Sequence, residues 1–293
     1  MAAIGSLVDD DFEFVELLNT GATTLDLSGA RFTKGIDFTF ASGTTLAPGA
    51  RLLVVANLPA FRLRYGPGAT AVGPYLGSLD NGGESLKLVD PSGEVVLDFT
   101  YDDAWFPPTD GSGHTLVVRD ESPSHAGYGQ PVHWAISGSA SGSPGTADAD
   151  FAQTFAGWRW DHFTAAEITL PDGSENSAVA GVLADPDQDG PNNLAEYAFG
   201  LDPRAAQGSP PVAIGSVTLG SETYDTFTFR RRHQALDLLY TVQFSNDLTA
   251  WTADTLPYGG VTDLGGGMEQ VTFRDTIPSA SATRFARVVA TMQ

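Results

Sequence analysis

Apolar and polar residues alternate along much of the chain. In "EVVLDFTY" (94–101) Val95, Leu97, Phe99 and Tyr101 fall on one face, the two-residue period of a strand with one buried side. In "LYTVQFSND" Tyr240, Val242 and Phe244 share one face, and Thr241, Gln243 and Ser245 the other; "MEQVTFRD" and "TRFARVVA" alternate likewise. "RLLVVAN" (51–57) is a short continuous apolar run, the pattern of a strand covered on both sides. Turn signals punctuate these runs. Asn81-Gly82 offers a hairpin turn, and Asp90-Pro91-Ser92-Gly93 a type I turn with Gly93 left-handed. Strands at roughly ten-residue spacing predict a β-sandwich over 12–120, and about five or six more strands predict a smaller one from 212 onward.

Helical patterns are few and short. "PAFRLRY" (59–65) predicts one helix with Pro59 near its start, and the middle of the chain predicts two more, near Phe163–Ile168 with Thr164 as cap and near Asn193–Phe199. "SGSASGSPGTADAD" (137–150) and "AAQGSPP" (205–211) are poor in apolar residues and read as linkers. The chain is thus expected to be mostly β in three parts: a sandwich at 1–146, a linker and helical connector at 147–208, and a second sandwich at 209–293.

With 293 residues and 42% hydrophobic residues, each part can bury a core. The balance is acidic, 36 Asp+Glu against 15 Lys+Arg, a net charge of −21. The surplus is unevenly spread: −10 over 1–146 (7 basic, 17 acidic), −9 over 147–208 (2 and 11) and −2 over 209–293 (6 and 8). Such a chain repels nucleic acid and anionic lipid, so neither is an expected partner. There is no Cys, which excludes disulfides and thiolate metal sites. No run is long and apolar enough to enter a membrane as a helix. The start "MAAIGSLVDDD" has no basic region followed by an apolar one, so it is not a signal peptide; the chain is either cytosolic or a piece of a larger protein, and its several modules favour the piece.

Several motifs in residues 10–120 occur together: "FVELLNTGATTLDLSGARFT" (14–33), "FTFASGTTLAPGARLLVVAN" (38–57), "FRLRYG" (61–66), "GSLDNGGESLKLVDPSGEVV" (77–96) and "DGSGHTLVVRD" (110–120), followed by "HWAISGSASGSPG" (133–145). This order resembles the lamin tail domain, an immunoglobulin-like β-sandwich also found in secreted bacterial proteins. The resemblance implies a non-catalytic accessory module. His114 stands where such domains often carry a bulky residue, and a half-buried strand position accounts for it.

One stretch carries chemistry. In "DPDQDGPNNLAEYAFGLDP" (185–203) Asp185, Asp187, Asp189, Gly190 and Glu196 fit D-x-D-x-D-G-x₅-E, the calcium-loop pattern. Ca²⁺ is a hard cation that takes about six to eight oxygens. Three alternate aspartates on a curled loop supply carboxylates, and Gly190 permits the bend. The Pro191 carbonyl and Asn193 can add oxygens, and Glu196 can close the shell with two. The predicted metal ligands are therefore Asp185, Asp187, Asp189, Pro191, Asn193 and Glu196, and the predicted cofactor is calcium. A solvated acidic loop without an ion is the competing reading. Position 8, apolar in paired EF-hands, is Asn192 here, and no second such loop occurs. The segment resembles the single loops of dockerin-like and thrombospondin type 3-like modules, which implies calcium-rich surroundings outside the cell.

"YTVQFSNDLTAW" (240–251) resembles C-terminal β-sandwich modules of bacterial surface proteins, loosely like fibronectin type III. Trp251 is expected to cover one end of that core, and Trp158 and Trp160 to pack the connector on a β-domain. "RRRH" (230–233) is expected to pair with acidic neighbours. The five histidines (114, 125, 133, 162 and 233) form no zinc pattern, and no nucleophile elbow, P-loop or dinucleotide fingerprint occurs. The chain is therefore expected to be non-catalytic. It reads as an extracellular or cell-surface adhesion, binding or structural module whose partner is a protein or polysaccharide. A carbohydrate-binding accessory is the alternative, and a hydrolase a more distant one.

Overall fold

The computed structural model describes residues 7–121, 127–148, 150–210, 212–279 and 283–293; His125 and Pro211 lie outside these ranges. The chain is mostly β and forms two compact units, Met1–Phe151 and Ala152–Gln293.

The first unit contains β1 (Phe14–Leu18), β2 (Leu25–Asp26), β3 (Arg31–Lys34), β4 (Phe38–Thr39), β5 (Thr45–Leu46), β6 (Arg51–Val55), β7 (Ala71–Val72), β8 (Ser85–Val89), β9 (Val95–Thr100), β10 (Leu116–Val118) and β11 (Trp134–Ser137). One sheet runs β1-β6-β7 and a second β4-β3-β8-β9, while β2 pairs with β5 and β10 with β11. The "RLLVVAN" run explains how the sandwich closes. Leu52 and Val54 point into a core with Phe32, Phe40, Leu86 and Leu88. Leu53 and Val55 point the other way, onto Phe61 of α1 (Leu58–Tyr65). These four of the five β6 residues are at most 3% exposed, so this strand is buried on both faces as its pattern predicts. Asn57 caps α1 by accepting from the Ala60 amide at 3.2 Å, and Pro59 occupies a first-turn position where no N–H is needed.

The Asp90–Gly93 turn joins β8 to β9, with the Gly93 amide donating to the Asp90 carbonyl at 3.0 Å. Asn81-Gly82 also forms a turn, but no strand precedes it at 77–80, so it leads into β8 without making a hairpin. The glycine-rich stretch after β11 is held to the first unit by hydrogen bonds. Tyr65 donates its hydroxyl to the Ser141 carbonyl at 2.9 Å, and the Gly145 amide donates to Glu16 at 2.6 Å.

At the junction of the units lies β12 (Phe151–Ala152). The second unit follows with α2 (Phe155–His162), α3 (Ala165–Ile168), α4 (Asn193–Phe199), β13 (Val212–Leu219), β14 (Glu222–Arg232), β15 (Leu238–Ser245), β16 (Thr255–Pro257), β17 (Thr262–Gly265), β18 (Met268–Pro278) and β19 (Phe285–Met292). One sheet runs β13-β14-β18-β16 with β17 also on β18, and the other pairs β15 with β19. Phe227, Phe229 and Val271 face Val242 and Phe244 between them. Trp158, Phe163, Tyr197 and Phe199 from the helical segment join the same cluster. Helices this short are not stable alone. They gain their stability by burying Trp158 and Tyr197, 1% and 0% exposed, against the sandwich. Trp160 packs at the margin of that cluster. Trp251 is half-buried, with the Arg287 guanidinium 4.1 Å above its ring. Among the described residues no helix is long and apolar enough to cross a membrane.

Candidate metal centre

The aspartate loop leads directly into α4, and the sequence dictates how. Asn192 caps the helix by accepting from the Ala195 amide at 3.0 Å, which is why a polar residue occupies position 8. Gly200 ends the helix in the left-handed region at φ 67°, where a non-glycine residue would be strained. Gly190, at φ 112°, makes the bend before the helix.

The loop gathers its carboxylates. Oxygens of Asp185, Asp187 and Asp189 all lie within 4.8 Å of one another. Asp185 accepts from the amides of Asp189 (3.3 Å) and Gly190 (3.1 Å), and Asp187 Oδ1 from the Asp189 amide (3.3 Å). Asp189 Oδ2 reaches across to the amides of Gln207 and Gly208 at 2.6 and 2.7 Å. These bonds leave specific oxygens over. Asp187 Oδ2, Asp189 Oδ1, Asn193 Oδ1 and both Glu196 oxygens are buried without a hydrogen-bond partner. Asn193 is 0% exposed and Glu196 1%. The Asn193 amide nitrogen donates to the carbonyls of Val179 and Gly181, both at 2.9 Å, which fixes the side chain and leaves its oxygen unpartnered. Among the described residues no amide donates to the Pro191 carbonyl.

Electrostatics express the same surplus. Burial, followed by the charges of Asp187, Asp189 and Asp185, pushes Glu196 up to about 7. Burial also raises Asp187, against the bond from the Asp189 amide and with the help of the neighbouring carboxylates. A buried carboxylate with no donor costs several kcal/mol unless it is protonated or paired. The donor set is oxygen only, with three aspartates, one glutamate and one amide oxygen, and it suits a hard divalent cation. The predicted ligand residues thus occupy one loop and the first turn of one helix, and their leftover oxygens fit Ca²⁺.

The other end of α4 is tied to the sandwich, and here the "RRRH" run finds its place. Arg232 Nε donates to the Tyr197 carbonyl at 2.7 Å, the Tyr240 hydroxyl to that of Ala198 at 2.7 Å, and Arg230 to that of Gly200 at 3.0 Å. Arg231 and His233 both bond Glu269 at 2.7 Å. The run therefore caps a helix C-terminus, which favours cations, and meets one acidic neighbour. The capping role escapes sequence reasoning, because these partners come together only through the fold. His114 is half-buried and bonds the Ser137 carbonyl at 2.8 Å.

No curated protein and no solved structure matches the chain. Residues 3–103 match the model of the Lamin Tail Domain family, the family that the motifs of the first segment resemble. The match covers the β1-β6-β7 and β4-β3-β8-β9 sheets and leaves the aspartate loop outside it. Residues 3–103 are thus similar to the lamin tail domain, an immunoglobulin-like β-sandwich family.

Proposed function

We propose that the protein is a non-catalytic extracellular binding or structural module in which one Ca²⁺ stabilises the loop before α4. The observation that carries this reading is the set of buried, unpartnered oxygens on Asp187, Asp189, Asn193 and Glu196, in a loop whose ligand spacing is unbroken. Asp185 and the Pro191 carbonyl complete a shell of about seven oxygens. Calcium modules outside the cell bind the ion weakly, at about 10⁻⁴ to 10⁻³ M, and a single loop without a paired partner supports the same setting, at the cell surface or beyond. Adhesion to a surface protein or polysaccharide is the role such an accessory module would serve.

The test is calorimetric titration of chelator-treated protein with CaCl₂. One site is expected in the wild type and none in Glu196→Gln. Equal null isotherms for both would leave the aspartates as a solvated acidic loop and remove the argument for an extracellular setting.

A further inference from the structure

The first unit has a groove of about 690 Å³ with a strand edge on each side. β1 is the outer strand of its sheet and β10 the outer strand of its own, and the whole of both strands lines the groove. Arg51 spans the two sides, bonding Glu16 of β1 at 2.6 Å and Glu121, just past β10, at 2.5 Å. Half-buried Leu97 and Phe99 of the facing sheet also line the space, together with Phe32 and Leu88 of the core, which are at most 4% exposed.

The hydrogen-bond parity identifies which backbone groups face the groove. The Asn19 amide donates to Ala50 and the Ala56 amide to Glu13, so odd-numbered residues of β1 bond β6 and Phe14, Glu16 and Leu18 turn their backbone groups outward. On the far side, the Arg119 amide donates to His133 and the Ser137 amide to Thr115, so Leu116 and Val118 turn outward from β10. Among the described residues neither outer edge pairs with a strand. Two unpaired edges over an apolar floor are a template for one more strand.

Charge narrows the occupant. The lining holds eight carboxylates, among them Asp9, Asp10, Asp80, Asp103 and Asp148, against two arginines. Arg51 is committed to Glu16 and Glu121, and Arg64 lies 3.3 Å over the Phe12 ring. We propose that the groove between β1 and β10 receives an extended segment of a partner polypeptide as an added strand, with alternating apolar residues and basic flanks. The inference stands on the first unit and does not depend on calcium.

The experiment uses the full chain and two synthetic peptides of alternating valine and threonine, one flanked by lysines and one by glutamates. Binding is followed by calorimetry and by amide hydrogen exchange. The lysine-flanked peptide should bind, more weakly as salt rises, and should slow exchange at Glu16, Leu18, Leu116 and Val118. The glutamate-flanked peptide should bind at least about tenfold more weakly. Val118→Pro removes an outward N–H and spares the β10–β11 ladder, and should weaken binding about tenfold. Failure of the lysine-flanked peptide to bind would overturn the proposal, as would binding without protection of those four amides in the wild type, which needs no variant to fold. Unchanged binding to folded Val118→Pro would do the same. Protection of these amides in the free protein that grows with its concentration would assign the groove to a second copy of the chain and overturn the partner proposed here.

Discussion

Arg232 donates Nε–H to the Tyr197 carbonyl at 2.7 Å while its guanidinium lies 4.9 Å over the Tyr197 ring. One side chain thus satisfies the last turn of α4 and covers its buried aromatic. Arg232→Ala should lose the carbonyl's partner and the cation–π contact together. A loss of about 2–3 kcal/mol is expected, measured by urea denaturation of the full chain. Arg232→Lys should recover only part of it, because an ammonium lacks the planar fork.

At the other end of the helix, Asn192→Ala removes the cap on the Ala195 amide. The expected cost is about 1 kcal/mol. An apolar residue, which a paired EF-hand would carry at this position, should cost as much. Denaturation midpoints for Asn192→Ala and Asn192→Val check this, with Asn192→Asp expected to stay close to wild type.

Much of this site is legible in the sequence because its signals are local. The D-x-D-x-D-G-x₅-E spacing names the carboxylates, and Gly200 followed by Pro203 marks the helix end. The alternation in β15 and the double burial of β6 are local in the same way. In β9, however, a register shift between Leu88 and Val89 takes Val95, 51% exposed, off the face that its pattern predicts it shares with Leu97 and Phe99. What cannot be read is set by distant partners. Helix α2 escapes the pattern because Gly157 and two tryptophans are modest helix formers. It is fixed by the Thr154 cap at 3.1 Å and by the burial of Trp158. The contact of Asp189 with Gln207 and Gly208 and the arginine caps on α4 join residues that no spacing rule relates. The same holds for Glu16, whose bond to the Gly145 amide turns an apparent linker into part of the first unit.

The Glu196 carboxyl gives the calcium-free protein a specific pH dependence. Its folded value of about 7 lies above the ordinary 4.5, so between those values the folded state holds more protons than the unfolded one. Stability in chelator should therefore fall as pH rises from about 4.5 to about 7. Saturating Ca²⁺ should remove that decline, because the ion replaces the proton. Below about pH 7 the ion's affinity should weaken as protons compete for Glu196. Melting temperatures across this range, with chelator and with CaCl₂, test the sign, and Glu196→Gln should flatten the chelator curve.

The first unit should fold by itself. Its two sheets share a core drawn entirely from its own residues, and the division at Phe151 leaves that core whole. A chain ending at residue 151 should melt in one cooperative transition that is insensitive to chelator. A molten product would show that the boundary cuts through a cooperative unit.

Asp189 grips the Gly208 amide 19 residues further along the chain. Under tension that grip would act as a clasp, tying the loop before α4 to the chain that follows it. Opening it would leave α4 in place, because Tyr197 and Phe199 stay buried in the core of the second unit. With calcium on the other oxygen of Asp189, as proposed, the force needed to open the clasp would rise with the ion's concentration. The loop would then be a fastening whose strength follows the composition of the surrounding medium.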